Sequence, residues 1–502
     1  MRQGAGPHPP GRRASGAGHR AHGTGSGLAP ATATGREVRR PEVVGRRGGA
    51  AYPAVMASPS EPDPGSPDPT PGELLAARPH LSMQLAGGLM LEDVPLNAVA
   101  DALGTPVWVT GAATLRGRYR RLAACLAEAG LSATIHYAMK ANDQLAVLRV
   151  LAREGAGADV VSGGELLRAR AAGIPAADIV FSGVGKTAGE LRLALAEGVG
   201  QVNVESEEEI EMLAALAGEA KRPVRLALRV NPDIAADTHT KIATGRADDK
   251  FGIAAGRIAS TYARAAALPG LEPVGLAVHI GSQIGSAAPY RAAFERLAGL
   301  VGELRAQGQR VSVVDCGGGL AVRYRDEPEG SPRTLAGVIA ATLGRLDVRI
   351  MLEPGRWLVA PAGVLVSSVV RVKRMAEGSS PFVVLDSAMN DLLRPSLYDA
   401  WHGVVPLSAH LGHAPLAAAH LVGPVCESGD TFARDRLLPA LRPGDRVALL
   451  DVGAYGSVMS STYNSRPLAA QALVDGGRWQ TIRPRQPLHA LWQDETIPAW
   501  LG

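Results

Sequence analysis

The chain has 502 residues, 46% hydrophobic and only 4% aromatic, which is enough for two ordered domains with sizeable cores. Nine arginines against two glutamates give residues 1–50 a charge of +7, so the overall +4 hides a mildly acidic body of −3 and implies no nucleic-acid surface. No apolar run approaches the ~20 residues needed to cross a membrane, and three distant cysteines argue against a disulfide framework or a zinc site and fit a reducing, cytoplasmic compartment.

Residues 1–80 are rich in Gly, Ala, Pro and Arg without sustained periodicity, and read as a disordered low-complexity tail. An Arg-rich, acid-poor start is shared with transit peptides, but this much Gly and Pro spoils an amphipathic helix, and Met56 is an alternative start. Order is expected from Leu81. In residues 81–112, Val94-Pro95-Leu96 leads into a helix and 105–110 reads as a strand lent to a later β domain. A helix follows over 113–129, with Leu115, Tyr119, Leu122 and Leu126 at helical spacing.

Within residues 113–360, eight short apolar runs each close on polar or glycine residues. They end at Lys140-Ala141-Asn142, Asp159 to Gly164, Phe181-Ser182-Gly183, Val204-Glu205-Ser206, Arg229 to Pro232, His279 to Ser282, Asp315 to Gly319, and Glu353-Pro354-Gly355-Arg356. Eight strands with helical patterns between them predict a (β/α)8 TIM-type barrel, whose chemistry sits at the C-terminal strand ends. Residues 231–255 read as a long loop on that face, where loops usually serve the site. Residues 361–502 change texture to β-rich runs at 364–372, 382–385 and 446–450, and predict a second, mostly β domain.

The strand ends carry the candidate chemistry. Lys140 at a barrel mouth can lose its charge by desolvation and attack an aldehyde, or it can be an exposed ion-pairing lysine. Gly317, Gly318 and Gly319 let backbone N–H groups approach a phosphate, or simply make a tight turn. Glu353 and Arg356 bracket a Pro354-Gly355 turn. A carboxylate beside a pyridine nitrogen strengthens an electron sink, and a guanidinium suits phosphate or carboxylate, although a surface ion pair has the same composition. His279 reads as a base, a ring-stacking partner or a core histidine.

Cys426, in a turn beside charged residues, is a reactive or a plain surface thiol, whereas Cys125 and Cys316 read as packing residues. Gly183 to Thr187 resembles the end of a P-loop, but Val180 stands where that motif needs glycine. His410, His413 and His420 match no standard ligand spacing, so no metal site is expected.

Together these segments resemble the diaminopimelate decarboxylase family of pyridoxal-phosphate enzymes with an alanine-racemase-like barrel. The resemblance runs from about Val94 to the end. It covers 137–142, 159–166, 250–253, 279–283 and 353–356, then 394–398, 426–430 and 453–456 in the second domain. The departures are few: Ala388 and Ala321 stand where the family often has glycine.

The resemblance implies that Lys140 holds pyridoxal 5′-phosphate covalently through its aldehyde, with Asp159 in the cofactor site and His279 stacked on the ring. Ser282 and Gly317 to Gly319 would bind phosphate, and Glu353 would protonate the pyridine nitrogen. Arg356, in the turn with Pro354 and Gly355, would contact phosphate and substrate carboxylate. Tyr455 would meet both cofactor and substrate. Arg394, Tyr398 and Glu427 would grip the end that is not decarboxylated, and Cys426 would donate a proton from the second subunit of a homodimer. The expected reaction is removal of the D-centre carboxyl of meso-diaminopimelate, giving L-lysine and carbon dioxide. The alternatives are a sister decarboxylase acting on ornithine, lysine or arginine, which would leave Arg394 without a carboxylate partner, and a non-catalytic regulator, which intact Lys140 and Cys426 argue against.

Overall fold

The computed structural model describes residues 68–234 and 249–502. Eight parallel strands close a barrel: Ala133–Ala138, Gly157–Val160, Ile179–Phe181, Gln201–Val204, Val224–Asn231, Leu271–Ala277, Val313–Asp315 and Arg349–Leu352. Each pairs with the next, and the last returns to the first with Ile350 beside Ala133. All eight predicted strands are present. The crossover helices start where the sequence supplies caps: the Ser162, Thr187, Ser206 and Ser331 side chains each accept an N–H from the first helical turn. The layer between strands and helices is apolar, from Leu115 and Leu122 through Phe181, Leu228 and Ile339 to Trp357.

Inside the barrel the filling is different. Barrel lumens of this type are usually packed with branched apolar side chains. Here His136, Asp159, Gln201, Asn203, Asp315 and Glu353 are all buried polar groups. Asn203 links Asp315 and Glu353 and is itself bonded by Gln201, while Asp159 meets Lys140 and His136 meets Thr134 and the Asp178 carbonyl.

The second domain is a large, mostly antiparallel sheet built on the strand Gly363–Lys373. The early strand Val107–Gly111 lies in this sheet, antiparallel to Gly363–Lys373 and parallel to Ala470–Asp475. A three-stranded sheet (Leu81–Gln84, Gly88–Leu91, Val94–Pro95) and the helix Leu96–Leu103 pack Leu89, Leu91, Leu96 and Val99 against Val107, Val364 and Val366.

Order begins before Leu81, which corrects the reading of a tail through residue 80. Pro71–Ala76 is a helix with a reciprocal Thr70–Glu73 cap, and it buries Leu74. Arg78 behind it bonds Asp451 Oδ2 through Nε at 2.8 Å and Tyr324 O at 2.8 Å. Six residues are too few to show periodicity, and the flanking prolines masked the cap. The rest of the predicted tail, 1–67, and most of the predicted loop, 235–248, lie outside the described residues. Among the described residues no helix is long and apolar enough to cross a membrane.

Candidate active site

Lys140 sits in a single helical turn, Met139–Ala141, at the end of the first barrel strand. Its Nζ donates to Asp159 Oδ2 at 3.0 Å, from the end of the second strand, and Asp159 is completely buried. Burial alone would depress the lysine, but the charges of Asp159, Tyr455 and Glu353 outweigh it and raise its pKa above the usual value. The ion pair with Asp159 thus opposes the desolvation named in the sequence analysis. Asp159 Oδ1 is buried without a hydrogen-bond partner among the described residues, an acceptor left over inside the pocket.

Glu353 closes the eighth strand. Its Oε1 accepts from Asn203 Nδ2 at 3.1 Å and from Ser182 Oγ at 3.3 Å. Burial, then the charges of Asp159 and Asp315, push this carboxyl well above the carboxylate range. The turn after it is pinned to the lysine strand, since Ala138 N–H donates to Pro354 O at 3.1 Å and Gly355 lies against Ala138 and Ala141. The Pro354-Gly355 pair therefore fixes where Glu353 and Arg356 stand relative to Lys140.

The glycine cluster follows the seventh strand. A Cβ on Gly318 would lie 2.3 Å from Glu353 O, and Gly317 holds φ at +64°, so neither position tolerates a side chain. Gly318 N–H donates to His279 Nδ1 at 3.2 Å, which leaves Nε2 to carry the ring proton. Burial, then the charges of Lys140 and Arg229, hold the His279 pKa well below its usual value, so the imidazole is neutral. Ser282 Oγ accepts from Arg356 Nε at 3.1 Å.

Two buried guanidinium groups lie near one aromatic ring. Arg356 Nη1 donates to Tyr324 Oη at 2.9 Å, and its guanidinium lies 4.9 Å from the Tyr455 ring centre. The Arg394 guanidinium lies 5.4 Å from the Tyr324 ring centre and its Nε approaches His402 Nε2 at 3.4 Å. Tyr398 closes the same short helix as Arg394 (Arg394–Tyr398). Tyr455 reaches this place from an unusual backbone, φ +55°, held by its N–H on Ala141 O at 2.8 Å.

Cys426 and Glu427 stand in a turn of the second domain, which Ser396 Oγ meets by donating to Gly429 O at 2.6 Å. Both are exposed. Asn464 Nδ2 approaches Cys426 Sγ at 3.5 Å and the Tyr463 hydroxyl donates to Glu427. Cys125 and Cys316 are buried, as expected of packing residues.

Sequence reasoning missed Tyr324, Asn203, Ser182 and Asp315 as site residues. Asn203 and Gln201 did carry a signal, because two amides at alternating positions of an apolar strand point to one polar face. Tyr324 carried none. Lys186, in the rejected P-loop look-alike, is a buried structural lysine bonded to Glu209 at 2.7 Å, Gly183 O and Asn203 O.

The pocket fits a pyridine-ring phosphate aldehyde. It combines an amine, a side-chain-free glycine cradle, a neutral histidine beside that cradle, and a buried carboxyl that retains a proton. The leftover acceptor on Asp159 suits a bound polar group.

Residues 112–360 match the model of the pyridoxal-dependent decarboxylase pyridoxal-binding domain. The chain is 46% identical to the diaminopimelate decarboxylase of Zymomonas mobilis, over 83% of this chain and 98% of the relative. It is 45% identical to that of Pseudomonas aeruginosa, over 82% and 97%. Its fold is similar to the crystal structure of the Helicobacter pylori diaminopimelate decarboxylase complexed with L-lysine, with a TM-score of 0.76 and 37% identity over 80% of this chain and 98% of that one.

Proposed function

The chain belongs to the diaminopimelate decarboxylases, and from that premise we propose that it converts meso-diaminopimelate to L-lysine and carbon dioxide with pyridoxal phosphate as cofactor. The observation that carries the reading is the pair of guanidinium groups, Arg356 and Arg394, that lie 6.0 Å and 5.4 Å from the Tyr324 ring centre. Diaminopimelate has two amino-acid ends. One carboxylate leaves and the other must be held, which asks for a second cation at a distance from the reacting end.

Lys140 would hold the cofactor aldehyde, and Glu353 would share a proton with the ring nitrogen. Ser282 and Gly317 to Gly319 would receive the phosphate, and His279 would lie against the ring. When bound, pyridoxal phosphate supplies a ring that draws off the electron pair left as carbon dioxide departs. Arg356 would contact phosphate and the substrate carboxylate, and Tyr455 would meet cofactor and substrate. Arg394 and Tyr398 would grip the retained end by charge-assisted hydrogen bonds. A histidine held neutral beside the ring adds no charge that would compete with the ring-nitrogen proton.

A proton must then reach the substrate carbon. Cys426 Sγ is an exposed thiol next to Glu427 in the second domain. We assign it to the active site of a second copy in a homodimer, where Cys426 of the partner subunit would protonate the carbon and its Glu427 would help bind the retained ammonium. The unpaired cysteines fit a cytoplasmic setting.

The test is incubation of the purified protein with pyridoxal phosphate and meso-diaminopimelate, with lysine and carbon dioxide measured together. Equimolar release is expected. Turnover of ornithine or lysine in preference to diaminopimelate would overturn the substrate assignment.

A further inference from the structure

The barrel lumen contains a third carboxyl besides Asp159 and Glu353, and nothing above gives it a role. Asp315, on the seventh strand, is 1% exposed. Its Oδ2 accepts from Asn203 Nδ2 at 3.0 Å, and the same amide nitrogen donates to Glu353 Oε1 at 3.1 Å. One NH2 group thus straddles two carboxyls. Asp315 Oδ1 also accepts from Gly317 N–H at 3.0 Å, at the start of the glycine cluster. Asp315 therefore touches both the ring-nitrogen end and the phosphate end of the proposed cofactor site without lying on the pocket surface.

The amide is itself oriented from below. Gln201 Nε2 donates to Asn203 Oδ1 at 2.8 Å, which forces Asn203 to present its donors upward to the carboxyls. Gln201 accepts a cost for this, because its own Oε1 is buried without a partner among the described residues. It lines a cavity of about 110 Å³ at the opposite, N-terminal mouth, with Thr134, His136, Asp178 and Arg349.

We propose that Asp315 is a positioning residue that, with Glu353, forms a carboxyl pair sharing one proton, and that this pair rather than Glu353 alone keeps the cofactor's ring nitrogen protonated. This rests on the assignment of Glu353 to the ring nitrogen. Two carboxyls bridged by one amide in a buried site cannot both ionise cheaply, so the first proton is held tightly. The charged and titratable groups around Glu353 are Asp315 from the seventh strand, Asp159 from the second and Lys140 from the end of the first. His136 stands near both aspartates. Lys140 is neutralised by Asp159, which leaves Asp315 as the surplus negative charge. That charge favours a proton on whatever Glu353 faces.

The experiment uses full-length holoenzyme carrying pyridoxal phosphate labelled with nitrogen-15 in the ring, whose chemical shift reports ring protonation as pH is varied. Asp315→Asn keeps the shape and removes the charge. It is expected to lower the pH at which the ring nitrogen loses its proton by one unit or more, a tenfold loss of proton affinity. Gln201→Leu frees the Asn203 amide and withdraws a donor that stabilises carboxylate, so its shift is expected in the opposite direction. An unchanged ring-nitrogen titration in Asp315→Asn, or a shift of the same sign in both variants, overturns the proposal. Glu353→Gln separates the two levels: if it leaves the ring nitrogen unaffected, the Glu353 assignment itself fails. If it abolishes protonation while Asp315→Asn changes nothing, only the carboxyl pair fails.

Discussion

Lys140 Nζ and Asp159 Oδ2 lie 3.0 Å apart across adjacent barrel strands, the lysine half-buried and the aspartate wholly so. The pair stores the lysine as an ammonium until a ligand arrives. In Asp159→Asn the largest charge opposing burial is gone, so the amine becomes neutral at lower pH. Borohydride trapping of pyridoxal phosphate on Lys140, followed against pH, should show a midpoint at least one unit lower than wild type. The folded-state pKa lies above the unfolded one. The pair's contribution to stability is therefore complete below the ordinary lysine value near 10.5 and is lost only as pH rises beyond it.

Arg394→Ala should raise the KM for diaminopimelate by roughly one to two orders of magnitude, the cost of a charge-assisted contact of about 1.5–3 kcal/mol, with a smaller effect on kcat. A loss confined to kcat, with KM unchanged, would take Arg394 away from substrate binding.

If sites are shared between subunits, Lys140→Ala and Cys426→Ala chains are each inactive alone, yet a mixed dimer has one intact site. Refolding the two together in equal amounts should restore about a quarter of wild-type activity, half the dimers carrying one good site of two. No recovery in verified mixed dimers would place Cys426 outside the partner's site.

Arg78 and Asp451 form an ion pair in which both side chains are almost fully buried, and Arg78 also supports Tyr324 through its carbonyl. Arg78→Ala leaves Asp451 buried and unpaired, which typically costs about 3–5 kcal/mol. Urea unfolding should show that loss. The double variant Arg78→Ala/Asp451→Ala should recover part of it, since no lone charge remains.

Glu165, which accepts the Val161 N–H at 2.8 Å, has its carboxyl pushed up to about 7 by burial, with the charges of Asp159 and Asp143 adding to the shift. The folded state therefore holds this proton more tightly than the unfolded chain. That interaction costs stability as pH rises from about 4.5 to about 7 and then stays constant. Glu165→Gln keeps the acceptor and removes the titration. Relative to wild type it should gain roughly 2–3 kcal/mol between pH 5 and pH 8, read by urea unfolding at both values.

Much of this site was readable from the chain. The eight strands follow from short apolar runs punctuated by polar residues, and Lys140, His279, Gly317 to Gly319 and Glu353 fall at strand ends, where position along the sequence specifies position on the barrel face. The short helix at 71–76 was not readable, because six residues carry no period and its buried Leu74 packs in a cluster completed by the distant β domain.

What sequence order determined is which residues stand at the C-terminal rim, since strand and helix periodicities are local properties of backbone and solvent. What the tertiary structure decided is their chemical state. Asp159 holds the lysine charged, Gly318 sets the tautomer of His279, and Asp315 leans on Glu353 through Asn203, pairs separated by between 19 and 150 residues in the chain. Electrostatic energy depends on distance in space and on the exclusion of water, and neither exists until the barrel closes.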